Sequence, residues 1–241
     1  MFSLRLKTYH YVGKVGALFG MHVTRLAKHP STTMLGLRNK RFDLILDVGA
    51  NEGQFAQDAR LKFPSAHIVS FEPLPGPYAV LAAWAAADGN ARAVNCALGA
   101  ADAVLPINLH VDYSASSSLL ATHADGVERY PQMAKQAQVD VPVRRLDDVL
   151  AELGYTCGLQ TFVKLDVQGF EAQVLAGAEQ TLGRAGALLT EVCLDAMYEG
   201  QAEFYSLCHL ADAAGLRYAG NHTQHLAEDG HVIFLDALFV R

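Results

Sequence analysis

The chain has 241 residues, 51% of them hydrophobic and 18% charged, which suits one doubly wound domain with a sizeable core and excludes a disordered polymer. Its formal charge of −6 is split unevenly: residues 1–41 hold eight of the 19 lysines and arginines and none of the 25 acids, so an acidic body follows a basic arm. An acidic body cannot track phosphates, which argues against a nucleic-acid partner, and no run approaches the roughly 18 to 20 uncharged apolar residues of a membrane span.

The arm, with Arg5, Lys7, Lys14, Arg25, Lys28, Arg38, Lys40 and Arg41, is expected to be a helical extension over residues 1–41, ahead of a single domain over 42–241. It is expected to dock on the acidic body of its own chain or of a second copy, which leaves room for a homo-oligomer; contact with an anionic membrane surface is the less favoured reading. No small-residue cleavage site follows the apolar stretch Val12–Val23, so a signal peptide is not expected. Cys96, Cys157, Cys193 and Cys208 are scattered without a C-x-x-C pair, as in a reduced, cytoplasmic protein.

From Phe42 onward, β-branched apolar runs alternate with Ala- and Leu-rich segments of helical period. The pattern predicts strands at about 43–48, 67–71, 91–96, 161–166, 187–193, 216–220 and 232–240, with helices at 53–62, 76–87, 146–153, 170–183 and 201–214. Asp88-Gly89-Asn90, Gly154 and Gly215 are their stop signals.

The first strand runs through Asp47 into a tight turn, Gly49-Ala50-Asn51-Glu52-Gly53-Gln54-Phe55. In a parallel sheet, ligands bind beyond the carboxyl ends of strands, and glycine there allows close backbone approach. Asp47, at the end of its strand, could meet an amino group. Nineteen residues after Gly53 comes Glu72, at the tip of the second strand and held at the rim by Pro73. A carboxylate in that place can accept hydrogen bonds from both hydroxyls of a ribose. An ordinary turn and a surface glutamate are the structural alternatives.

Both NAD and S-adenosylmethionine present a ribose, so Glu72 does not separate them. The loop favours the second. A dinucleotide fingerprint wants glycine where Asn51 and Gln54 stand, and the flanking Asp47 and Glu52 suit a cationic sulfonium better than a pyrophosphate.

Asp112–Gln138, a long polar stretch, predicts either a functional lid or disorder. At the end of the chain, 216–220 and 232–240 are too close for a crossover helix and must pair as an antiparallel hairpin. The fold class expected is α/β, a Rossmann-like sheet of seven mostly parallel strands closed by that hairpin, as in class I methyltransferases.

With Asp47-Val48-Gly49-Ala50-Asn51-Glu52-Gly53, Phe71-Glu72-Pro73, Asn95-Cys96-Ala97-Leu98-Gly99 and Val163-Lys164-Leu165-Asp166-Val167-Gln168-Gly169-Phe170-Glu171 in this order, the chain resembles the FkbM family of methyltransferases over about residues 43–195. The resemblance implies S-adenosylmethionine as methyl donor and O-methylation, often of a sugar, glycolipid or polyketide hydroxyl. It implies that Ala97 lines the adenine and that Lys164, Asp166, Gly169 and Glu171 form the far wall. Gln168 departs from the glutamate the family often carries there, which turns attention to Asp166.

The donor site is therefore expected at Asp47, Gly49, Asn51, Gly53, Phe55, Glu72, Pro73, Asn95, Ala97 and Asp166. For the general base that a poorly nucleophilic hydroxyl needs, Asp166 is the first candidate, Glu191 the second and Glu171 the third, with Lys164 beside them. Lys164 with Glu191 or Glu171 could equally be a buried ion pair that keeps strands in register. His222 and His225 form an H-x-x-H in the expected hairpin loop, more simply a polar surface feature than a metal or base site, and no metal is expected. An NAD-dependent oxidoreductase and a non-catalytic binding protein of the same fold are the alternatives.

Overall fold

The computed structural model describes residues 12, 14–19, 21 and 33–241. The chain divides into two compact units, Met1–Lys40 and Arg41–Arg241. In the first, residues 14–18 are helical and a short 3-10 helix spans Met34–Asn39; most of the basic arm, and with it the expected helical extension, lies outside the described residues.

The second unit runs β1 (Leu44–Val48), α1 (Gln54–Lys62), β2 (His67–Phe71), α2 (Pro75–Asp88), β3 (Ala91–Val94), β4 (Ala97–Leu98) and β5 (Ala103–His110). It continues through α3 (Ala124–Arg129), β6 (Gln136–Arg144), α4 (Leu146–Glu152), β7 (Thr161–Leu165), α5 (Glu171–Ala176) and α6 (Glu179–Leu182). β8 (Ala187–Cys193), α7 (Phe204–Ala213), β9 (Arg217–Leu226) and β10 (Val232–Val240) complete it.

Seven strands form one sheet in the order β3-β2-β1-β7-β8-β10-β9. β10 is antiparallel to both its neighbours, and the other pairings are parallel. This is the Rossmann-like class I methyltransferase arrangement with its terminal hairpin. β1 and β7 are buried along their whole length, as strands covered on both faces must be. Leu46, Val163 and Leu188 are fully buried in the main core, and each such side chain contributes about 1.5–3 kcal/mol. The strand order reverses between β1 and β7, so the crevice beyond their carboxyl ends is where an open α/β sheet takes its ligand.

Three elements differ from expectation. β4, β6 and β5 form a second sheet inserted between β3 and α4, and Asp112–Gln138 is mostly the excursion joining β5 to β6. Pro106 and Pro142 interrupt both apolar runs, which hides them as strands; Pro142 is accommodated because β4 meets β6 only at Val143 and Arg144. The expected helix 170–183 is broken into α5 and α6. Gly177 sits at the break, where a Cβ would stand 2.0 Å from the Gly99 carbonyl oxygen, and Asp147 accepts from the Gln180 and Thr181 amides at 2.9 Å to cap the second piece. β9 reaches Leu226, so His222 and His225 lie on a strand rather than in a loop; its polar, half-exposed residues gave no apolar alternation to mark it. No helix among the described residues is long and apolar enough to cross a membrane.

Candidate active site

Register brings the acid at the end of β1 against the base in β7. Asp47 pairs across with Ser70 on one side and Lys164 on the other. The Lys164 ammonium lies 3.2 Å from Asp47 Oδ1 and 3.6 Å from Asp166 Oδ2, and it donates to the Gly49 carbonyl at 2.9 Å. Burial works against that charge, but Asp47 and Asp166 outweigh it and raise the lysine pKa. Lys164 thus ties the loop after β1 to the end of β7, with two carboxylates and the Gly49 carbonyl facing its ammonium. The buried pair foreseen with Glu191 or Glu171 forms with Asp47 and Asp166 instead.

Asp47 is fully buried, so it does not reach the rim where an amino group could meet it. The next turn needs glycine: Gly49 has φ +73°, and a Cβ on it would fall 1.9 Å from the Asp166 carbonyl oxygen. That close approach seals the floor of the crevice between β1 and β7.

Glu72 is 4% exposed and lines the crevice. Its Oε2 accepts from the Asn51 amide and its Oε1 from the Leu74 amide, both at 2.8 Å. Burial pushes its pKa up to about 7 against the pull of these two amides. Asn95 donates to the carbonyls of Glu72 at 2.9 Å and Pro73 at 3.1 Å, holding the turn that presents the acid. Gly49, Asn51, Glu72, Pro73 and Ala97 line this cleft, whereas Asp47, Gly53, Phe55, Asn95, Lys164 and Glu171 line neither this cavity nor the next. Phe55 packs instead against Phe162, at 6.0 Å between ring centroids.

The cleft encloses about 60 Å³, far below the roughly 300 Å³ at which ligand pockets begin. Ser114 closes it: its hydroxyl accepts from Asn51 Nδ2 at 3.1 Å. The strap that carries Ser114 is tied down after it by the buried His110, whose ring nitrogens lie 2.7 Å from Ser116 Oγ and 2.8 Å from Thr122 Oγ1.

A second cavity of about 470 Å³ adjoins the first, and Ala115, Asp166 and Gln168 belong to both. Asp166, Glu191 and Asp236 bring three carboxyl groups to its wall, with no lysine or arginine among the lining residues. Gln168 Nε2 donates to Asp166 Oδ1 at 2.6 Å and to Glu191 Oε1 at 3.1 Å. Its Oε1 lies 2.6 Å from the Tyr198 hydroxyl, which also lies 2.8 Å from the Ser116 carbonyl oxygen and has one proton for the two. Burial, then Asp166 and the other nearby acids, raise Glu191 well above the usual carboxylate range. His225 stacks on Phe234 at 4.1 Å as part of the wall. Among the described residues no group of three or more His, Cys, Asp or Glu side chains is arranged to hold a metal ion.

Glu171 closes the turn after β7 by accepting from the Val167 amide at 3.0 Å and the Gly169 amide at 3.3 Å. Burial pushes its pKa up to about 7. A carboxyl raised on folding favours the folded state at low pH; that contribution is complete below about 4.5 and is lost as pH rises through about 7. Thermal melts of Glu171→Gln should therefore show a shallower fall in Tm between pH 5 and 8 than the wild type, and parallel curves would refute this account of Glu171.

Sequence reasoning missed Tyr198 and Asp236, and gave Ser114 only as part of the stretch Asp112–Gln138 expected to be a lid or disordered. For Asp236 a signal was present: it is the lone charged residue in the otherwise apolar run Val232–Val240.

Residues 47–228 match the family described as Methyltransferase FkbM domain. The chain is 34% identical over 167 residues to the 31-O-demethyl-FK506 methyltransferase FkbM of Streptomyces tacrolimicus, covering 60% of this chain and 62% of that one, so the match spans less than two thirds of that relative. It is 29% identical over 192 residues to the 2-O-methyltransferase NoeI of Sinorhizobium fredii, covering 73% of this chain and 74% of the relative. Among solved structures, the O-methyltransferase TomG of Streptomyces achromogenes, in complex with SAM, aligns with TM-score 0.47 and 12% identity over 96% of this chain and 88% of its own.

Proposed function

We infer that this chain, which belongs to the FkbM family of methyltransferases, is an S-adenosylmethionine-dependent O-methyltransferase acting on a hydroxyl of a sugar, glycolipid or other small hydroxylated acceptor. The observation that carries this reading is the meeting of two cavities at one carboxylate: Asp166 and Gln168 stand where the Gly49–Glu72 cleft opens into the acid-walled chamber.

The residues of the cleft fit the donor. Each Glu72 oxygen accepts one amide and keeps acceptor capacity for a ribose hydroxyl. Leu98, Ile107 and Phe170 offer apolar surface for an adenine. The carboxylates nearby suit a cationic ligand. Bound there, S-adenosylmethionine supplies a methyl group on a positively charged sulfur, which is a good leaving group.

The protein's part is alignment and proton removal. The chamber holds the acceptor hydroxyl against Asp166, which takes its proton as the oxygen–carbon bond forms and the carbon–sulfur bond breaks. The Ser114 strap shields the junction from water. Three carboxyl groups without a lysine or arginine disfavour an acceptor that brings a phosphate or carboxylate to the chamber, and favour an uncharged polyol. The names of two relatives, 31-O-demethyl-FK506 methyltransferase FkbM and 2-O-methyltransferase NoeI, point the same way.

Ligand-dependent melting tests the donor. S-adenosylhomocysteine at 100 times its Kd should stabilise the fold by about 2.7 kcal/mol, NAD should leave Tm unchanged, and Glu72→Ala should remove most of the shift. Labelled-methyl transfer to a panel of sugars and hydroxylated small molecules tests the acceptor. A Tm that rises with NAD alone would sink the reading.

A further inference from the structure

We propose that Gln168 is the positioning residue of this site: its amide holds Asp166 and Glu191 at fixed distance and aims Asp166 at the junction of the two cavities. The inference rests on the reading of Asp166 as general base. It concerns the residue at which the sequence departs from the resemblance stated above.

The geometry is specific to an amide. Two acceptor carboxyls, Asp166 Oδ1 at 2.6 Å and Glu191 Oε1 at 3.1 Å, face one nitrogen, and the Tyr198 hydroxyl faces the oxygen at 2.6 Å. An amide, with two protons on one atom and an acceptor on the other, faces all three neighbours with matching chemistry. The flipped amide would point its oxygen at two carboxyls. Ser118 Oγ adds a bond of 2.7 Å to the Gln168 carbonyl, so the backbone is held as well.

Backbone strain is the independent observation. Gln168 has φ +56°, in the left-handed region that is unfavourable for a residue with a Cβ. Gly169 follows with φ +94°, and a glycine at 168 would turn the chain without strain. The conformation is retained with a side chain that bridges both carboxyls.

A glutamate at 168 would have nearly the same shape but would bring a third carboxyl between two others. It could donate to Asp166 only while protonated. The charged surroundings add to the conflict. Lys164, behind Asp166, is engaged by Asp47, and Glu171 and Asp236 add further acid charge around Glu191. Cys193 stands behind Glu191, and His225 faces the chamber from β9. Tyr198 can donate one proton to the new carboxylate and nothing more.

The test is Gln168→Glu, read in two ways. In kinetics at saturating donor, the variant's kcat relative to wild type should fall at least about tenfold as pH rises from 6 to 8, while KM for the donor changes little; a ratio that stays constant over that range would overturn the proposal. In thermal melts without ligand, the Tm deficit of Gln168→Glu relative to wild type should widen as pH rises over the same range, because a carboxyl raised on folding loses its contribution as it ionises. A constant deficit would also overturn it. The melts need no turnover, so they judge the network even if the methyl-transfer reading fails, which would show as no transfer by the wild type. If Gln168→Glu does not fold, Tyr198→Phe takes its place: loss of the hydroxyl that orients the amide should lower kcat severalfold with donor KM unchanged, and an unaltered kcat would overturn the proposal.

Discussion

Asp166→Asn is expected to bind S-adenosylhomocysteine with a wild-type rise in Tm and to transfer methyl groups about 10²- to 10⁴-fold more slowly, the usual contribution of a positioned general base. The carboxyl is at the tip of β7, one third exposed, and lines both cavities. Asparagine keeps the shape and one acceptor oxygen for Gln168 but cannot take a proton from the acceptor hydroxyl. The competing bases are differently placed. Burial, then Asp166 and the other nearby acids, raise Glu191 above the usual carboxylate range, and its Oε1 already accepts from the Gln168 amide at 3.1 Å. Glu171 spends an oxygen on two turn amides and lines neither cavity. Comparison of kcat for Asp166→Asn and Glu191→Gln at saturating donor decides between them. Should the first lose only a few-fold while the second is inert, the base is Glu191.

Lys164→Met is expected to cost about 3–5 kcal/mol of stability, as breaking a buried ion pair usually does. For a domain of this size that is a drop in Tm of roughly 6 to 20 °C. The lysine side chain is 10% exposed and its partner Asp47 not at all, so removal of the ammonium leaves a carboxylate sealed between β1, β2 and β7 with only the Ser70 hydroxyl, at 3.4 Å, beside it. The double variant Lys164→Met, Asp47→Asn should regain most of the loss, because the uncompensated charge then disappears. A single variant within about 1 kcal/mol of wild type would show that the pair does not hold the central strands together.

Much of the donor side is local in sequence and for that reason was legible. An apolar run, a glycine turn and a following helix lie within a dozen residues, and Glu72-Pro73 ends the next run. Each is set by neighbours along the chain: burial of a β-branched strand, the need for positive φ at Gly49, and the stop imposed by proline. The terminal hairpin followed from the same kind of argument, since the spacing left no room for a crossover.

What was not legible depends on residues far apart in the chain. Asp47 and Lys164 are 117 positions apart in the chain, and only the β1–β7 register makes them partners and withdraws Asp47 from the rim. Sequence periodicity could not find β5 and β6, because two prolines interrupt runs that are strands only by virtue of each other. Gln168 looked like a missing catalytic acid until Asp166, Glu191 and Tyr198 were seen to converge on it from the end of β7, from β8 and from the segment that follows it. The sequence by itself determined the order of the seven strands of the main sheet and the glycine and acid at its ligand edge, because backbone conformation and burial periodicity act over a few residues. The tertiary structure decided which carboxyl is paired, which is capped and which is left facing the junction, because charge and hydrogen-bond partners are set by distance in space.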